Sequence, residues 1–212
     1  MTKRQNPWNE FAKLLEGLAA DGALSRKTTV DALERFASSF DEEVDRSAYR
    51  GELGVSLGKV GAFAEAQRII SGVESHHDRA HCWRRLAQEQ FTDGEVQGGL
   101  ESLRRSADAI EALREEYSWE RAEVFSLNAK LLDDFGLKDE ALETWKRGLE
   151  VAKAGQDRGT DSSDCSAVMT TMAKLLAEAG RLELANSVAK AIAVPGKRAL
   201  AQELIDKASR KG

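Results

Sequence analysis

Residues 83–103 read WRRLAQEQFTDGEVQGGLESL and contain a spacing pattern that indicates the fold. A large residue is followed three positions later by a second one and then at once by a small one. A glycine comes next, then another small residue, then a bulky apolar one. In this stretch the six positions are Trp83, Leu86, Ala87, Gly94, Gly99 and Leu103.

The same spacing recurs three more times. It is found at Leu53, Gly54, Gly61, Ala66 and Ile70, at Phe125, Asn128, Ala129, Gly136, Ala141 and Trp145, and at Met169, Met172, Ala173, Gly180, Ala185 and Ala189. The glycines of successive copies stand 33, 42 and 44 residues apart. A pattern that repeats at such a period predicts helical hairpins stacked in an array.

We therefore expect an all-α fold, a right-handed antiparallel helical-hairpin solenoid of about eleven helices. It forms a single domain over residues 1–212, with an N-terminal capping hairpin (1–44), four repeats (45–193) and a C-terminal capping helix (194–212). Within the repeats the hairpins cover residues 45–72, 78–117, 119–155 and 164–193. A polar segment, 155–164, predicts a loop.

Local signals place several helix ends. Asn6 before Pro7 favours a helix start, Thr28 or Thr29 is expected to cap the next helix, and Asp78 a later one. In the last helix, Ala199, Leu200, Leu204 and Ile205 are expected to face inward.

The small residues predict close helix crossings. Gly54, for example, is expected to meet Ala66 across the first hairpin, because two helices approach closely only where their side chains are small. The turn glycines are expected to adopt the left-handed conformation that ends a helix.

The spacing resembles that of tetratricopeptide repeats in a degenerate form, most closely at Trp83, Leu86 and Ala87 and at Ala141 with Trp145. The longer spacings are similar to those of kinesin-light-chain-type members. Gln90 and Asn128 stand where the family usually has an aromatic residue and Leu. The resemblance implies that the protein binds proteins or peptides in a concave groove lined by the first helices of the hairpins.

Nine residues of the first helices and the last helix are predicted to line that groove: His81, Arg84, Gln88, Phe91, Ser126, Lys130, Thr170, Lys174 and Arg198. Its four cations would form a positively charged track, which suits an acidic protein or peptide segment. Ordinary solvated charges on helix faces are the alternative interpretation.

The function expected from this pattern is a non-enzymatic adaptor or scaffold. The alternatives are a structural protein that self-associates into a homo-oligomer and, with less support, a nucleic-acid-binding helical repeat. With 31 Lys and Arg against 36 Asp and Glu, the net charge of −5 argues against nucleic acid as a partner. No apolar run is long enough to span a membrane. The amphipathic start of the chain and its two cysteines indicate a cytoplasmic protein.

No catalytic or cofactor motif is evident in the sequence, so we expect neither an enzyme nor a cofactor. His76, His77 and His81 form the one histidine cluster, and His77 and His81 share a helix face. A zinc site there lacks a third ligand, so we predict no metal. Cys82 and Cys165 are expected to be packing residues or surface thiols, with reactive thiols as the alternative.

Overall fold

The computed structural model describes residues 7–159 and 162–210, apart from the side chains of Pro7 and Trp8. Over these residues it consists of eleven α-helices and two 3-10 turns, without a strand. The helices are α1 (Pro7–Ala20), α2 (Lys27–Ser38), α3 (Glu43–Lys59), α4 (Phe63–Ser71), α5 (His76–Thr92), α6 (Val96–Glu111), α7 (Ser118–Asp134), α8 (Lys138–Arg158), α9 (Ser162–Glu178), α10 (Leu182–Ala191) and α11 (Pro195–Ser209). The all-α prediction is confirmed.

The chain divides into two compact units, residues 1–109 and 110–212. In the first, α3 contacts α1, α2, α4 and α5. In the second, α7 and α8 pack against each other, both contact α9, and α9 also contacts α10 and α11. The single solenoid domain of residues 1–212 stays a prediction.

Aromatic residues form much of the core under the N-terminal hairpin of the first unit. The Tyr49 ring stacks on Phe40 with the ring centres 4.4 Å apart, and Phe11 meets it edge-on at 4.8 Å. Phe36 stacks on Phe11 at 5.7 Å while remaining 47% exposed. Aromatic rings bury large areas, so this cluster takes the place of the small-residue crossings of the repeats.

The four turn glycines have φ angles of 73° to 84°, which confirms the predicted left-handed conformation. Each turn has the same two backbone hydrogen bonds, as at Gly136. Its N–H donates to Asp133 O at 3.1 Å, and that of Leu137 donates to Leu132 O at 2.9 Å. This pair of bonds satisfies helix-end carbonyls that lack a partner in the helix, so each glycine ends one helix and reverses the chain.

The predicted close crossing at Gly54 is confirmed, because a Cβ there would lie 2.5 Å from Cγ1 of Ile70 and 3.4 Å from Ala66 O on α4. At Gly99 the residue packed against the glycine is an aromatic one. A Cβ at Gly99 would lie 2.4 Å from the Phe91 ring, so an aromatic ring covers this glycine.

Several predicted helix ends are wrong. Arg26, not a threonine, precedes α2 as its N-cap, and no side chain caps that helix. The N-cap of α5 is Ser75, whose hydroxyl accepts a hydrogen bond from the N–H of Asp78 at 3.2 Å. The cap predicted at Asn6 lies outside the described residues.

Three further boundaries differ from the sequence prediction. The helix expected to run to Tyr117 ends at Glu111, and a 3-10 turn covers Glu115–Tyr117. Helix α8 continues to Arg158, which shortens the predicted loop. In α11 the inward residues include Ala201 and Ile205, whereas Leu200 is 47% exposed, because it lies one position round the helix from the buried face.

Candidate functional site

Four of the predicted groove residues lie on α5 in the first unit. Gln88 is exposed, whereas Phe91 is only 6% exposed and lies over Gly99 of α6. Little of the Phe91 ring is therefore left to line a groove, since it already covers the neighbouring helix. Arg84 is partly buried, its Nε has no hydrogen-bond partner among the described residues, and burial lowers the pKa of its guanidinium.

His81 is the fourth residue, and its Nε2 lies 3.2 Å from Nε2 of His77. Burial, with the neighbouring charges of His77 and Arg84, lowers the pKa of His81 to about 4. His81 is therefore neutral at neutral pH. No group of three or more metal-ligating side chains lies together in the described residues.

The predicted groove residues of the second unit are mostly paired or covered. Lys130 forms an ion pair with Asp134 one turn later on α7, and Lys174 lies 3.7 Å from Glu178 on α9. Arg198 donates from Nε and Nη2 to the carbonyl of Ile192. Two of these three cations are therefore offset by carboxylates of the same helix, whereas Arg198 keeps its charge, because a carbonyl oxygen does not neutralise it.

Ser126 and Thr170 are also buried in this unit, at 3% and 6% exposure. The Thr170 hydroxyl donates to Ser166 O at 2.8 Å, and that of Ser126 donates to Ala122 O at 2.7 Å. Their hydroxyls are thus used within the fold. The expectation that Thr170 faces a groove is wrong, whereas Ser126 does border one.

That groove lies between α7 and α9 and has a volume of about 370 Å³. It is within the usual size range of small binding sites. Its lining comes from spaced positions of the two helices: Trp119, Glu123, Ser126 and Leu127 on α7, and Asp164, Ala167, Val168, Thr171 and Leu175 on α9. We call this the α7–α9 groove.

The α7–α9 groove is mainly apolar, and both of its charged lining residues are acidic. Trp119, Leu127 and Leu175 are partly exposed in it. Glu123 and Asp164 make no ion pair with another described residue of the chain. Half-exposed apolar side chains beside unmatched charges are what a binding surface offers to a partner.

Helix α8 supports the groove from behind through a glycine. A Cβ at Gly148 would lie 3.1 Å from Cβ of Phe125 on α7 and 3.3 Å from Cε of Met172 on α9. One position on α8 therefore touches both helices of the groove. Its lack of a side chain lets α7 and α9 come together over α8.

A second cavity, of about 680 Å³, lies where α9 and α10 meet α11 in the same unit. Its lining includes Lys174 and Glu178, which pair with each other, and Lys207. Although this cavity is larger, two of its charged residues pair with each other, so its lining indicates the charge of a partner less clearly than the lining of the α7–α9 groove does.

The two cysteines pack against glycines. A Cβ at Gly51 would lie 2.6 Å from Sγ of Cys82, and one at Gly155 would lie 2.5 Å from Sγ of Cys165. Burial raises the pKa of the Cys82 thiol to about 12. Both thiols are buried, so the packing interpretation fits them and the surface-thiol and reactive-thiol alternatives do not.

No protein-family model, curated protein or solved structure matches the chain significantly. Within the described residues, none of the helices combines the length and apolar character needed to span a membrane.

Sequence reasoning missed the apolar lining of the groove. On α9 it selected Thr170 and Lys174, while the open face holds Thr171 and Leu175, one position further round the helix. The signal was present as apolar or aromatic residues at helical spacing, Trp119 with Leu127 and Val168 with Leu175. Such residues are usually core residues, and half-exposure became visible only once the helices were packed.

Proposed function

We propose that the chain is a non-enzymatic protein-binding module, and that its helical hairpins stack in the manner of tetratricopeptide repeats. The repeated turn geometry at Gly61, Gly94, Gly136 and Gly180 supports the second point. So do the close helix crossings at small residues such as Gly54 and Gly148.

The observation that carries the binding function is the α7–α9 groove. It lies on the first helices of two successive hairpins, and it combines apolar side chains with carboxylates that have no partner in the described chain. A groove of this kind accommodates side chains of an extended or helical segment, and the flanking polar groups fix the orientation of that segment.

Photo-crosslinking tests this proposal. A photoreactive benzophenone amino acid replaces Thr171, which is exposed in the groove, and, as a matched control, Lys153, which is exposed on α8. We expect a discrete crosslinked protein from native lysate at position 171 and none at 153. Equal labelling at both positions, or no adduct at 171, would overturn the proposal.

Self-association is a second candidate function, favoured by one feature of α11. Leu200 is exposed there and lies one turn before Leu204, which lines the second cavity. The two leucines form an apolar stripe on the final helix. Light scattering of the purified chain and of its Leu200→Glu variant decides this: a dimer that dissociates on substitution supports it, and a monomer in both excludes it.

A further inference from the structure

Resting on the proposed function, we infer that the α7–α9 groove binds a segment with apolar anchor residues flanked by lysine or arginine. The partner's charge is therefore the opposite of what the predicted cationic track suggested. Three observations on the second unit lead to this assignment.

The first observation concerns the balance of charges around the groove. Lys130 and Lys174, the lysines on its two helices, already pair with Asp134 and Glu178. Glu123 and Asp164 have no such partner in the described residues. Arg121, the other cation of α7, does not line the groove, so the charge that the lining offers to a partner is negative.

The second observation is where these carboxylates lie. Asp164 is in the first turn of α9, and Glu123 is in the N-terminal half of α7. Leu127 and Leu175 follow in the C-terminal halves of the same helices. Both carboxylates therefore lie in the N-terminal halves of their helices, beside the apolar residues Trp119 and Val168, where basic residues flanking the apolar anchors of a bound segment would meet them.

The third observation is the apolar lining itself. Trp119, Leu127, Val168 and Leu175 are all partly exposed. A charged segment without apolar residues would leave this apolar surface exposed to water. Removing it from water favours a complex, so apolar anchors supply affinity and the basic residues supply selectivity.

Fluorescence anisotropy with three short labelled peptides tests the assignment. The first has leucines along one helical face and lysines at its flanks, the second replaces the lysines by glutamate, and the third replaces the leucines by serine. We expect the lysine–leucine peptide to bind best to the wild-type chain. A preference for the glutamate peptide, or equal affinity for all three, would overturn the assignment.

A matched pair of variants separates the groove from the net charge of the protein. Glu123→Lys with Asp164→Lys reverses the charge of the groove. Asp157→Lys with Glu183→Lys makes the same change of charge at exposed positions of α8 and α10. Glu183, like Asp164, lies in the first turn of its helix. Circular dichroism is used to check that each variant is folded, and Glu123→Gln with Asp164→Asn is the milder pair.

We expect the charge reversal at Glu123 and Asp164 to weaken binding of the lysine–leucine peptide about tenfold, as the loss of two surface ion pairs implies. The control pair should weaken binding less. Equal losses in both variants would overturn the inference, because net charge alone would then explain binding. If no peptide binds while crosslinking at Thr171 succeeds, the inference fails and the proposed function stands. If crosslinking fails too, both fail.

Discussion

The indole Nε1 of Trp145 donates a 2.8 Å hydrogen bond to Oδ2 of Asp133, inside the second unit. The Asp133 side chain is 2% exposed and also pairs with Arg181 at 2.8 Å and with Lys138 at 3.1 Å. Arg181 donates in addition to the carbonyl of Lys138 at 2.7 Å. One buried carboxylate therefore joins α7, α8 and the turn before α10.

Replacing Asp133 by Asn should destabilise the protein by about 3 kcal/mol, because Arg181 would keep a largely buried charge without its counter-ion. Urea denaturation measures this. The matched control is Asp134→Asn, whose exposed pairing with Lys130 is worth less than about 1 kcal/mol. Equal stability of the two variants would show that the buried network does not stabilise the fold.

The same carboxylate predicts an acid dependence. Burial alone would raise the pKa of Asp133, but hydrogen bonds from Arg181, Trp145 and Lys138 outweigh it and lower the pKa. The lowered pKa stabilises the protein at pH values above the pKa of aspartate in the unfolded chain, about 3.9. This contribution is lost as the pH falls below that value. The stability difference between wild type and Asp133→Asn should thus shrink below about pH 4. A constant difference down to pH 2 would contradict this.

Asp133 also shows what the sequence could and could not reveal. Local signals were sufficient for the turn glycines and for most of the helices, because spacing and turn chemistry act over a few residues. A charged residue on a helix normally faces water, so nothing local in the sequence indicates that Asp133 is buried. Its true partners are Trp145, 12 residues later, and Arg181, 48 residues later, a distance at which the sequence gives no pairing signal.

The contact between Gly51 and Cys82 predicts a compensating pair of substitutions. Gly51→Ala alone should destabilise by about 1–3 kcal/mol through overpacking, because its Cβ would lie 2.6 Å from the Cys82 sulfur. Cys82→Ala alone should cost about 1 kcal/mol for the cavity it leaves. In the double variant the new methyl group fills that space, so its stability should return to within about 0.5 kcal/mol of wild type.

A control for this cycle is Gly17→Ala on α1, where a Cβ meets no atom within 4 Å. This change should stabilise the protein by up to about 1 kcal/mol, since alanine favours helix. Thermal denaturation measures the stability of the four variants. Simple additivity of the two single substitutions would show that residues 51 and 82 do not compete for space.

The two thiols should be inert in the folded protein. Both are buried, and burial raises the pKa of the Cys82 thiol to about 12, so almost no Cys82 thiolate exists at pH 8. A colorimetric thiol assay should detect no fast reaction in the native protein and two reacting thiols in urea. Rapid labelling of native Cys82 would show that α5 opens away from Gly51.

The groove shows a different limit of sequence analysis. Its helices were predicted within a few residues, and Ser126, one of the predicted groove residues, borders it. The error on α9 was a single position, Thr170 for Thr171. A shift of one position turns a side chain by about 100° around the helix, which is enough to exchange an exposed face for a buried one. Which face of α9 is exposed depends on how α8 packs against α9 at Gly148.

Backbone amide NMR of the chain during titration with the lysine–leucine peptide locates the binding surface residue by residue. We expect saturable chemical-shift changes centred on Leu127, Val168, Thr171 and Leu175, and we expect them to disappear when Glu123 and Asp164 are replaced by lysine. Changes centred on α10 and α11, or none at saturating peptide, would contradict this expectation.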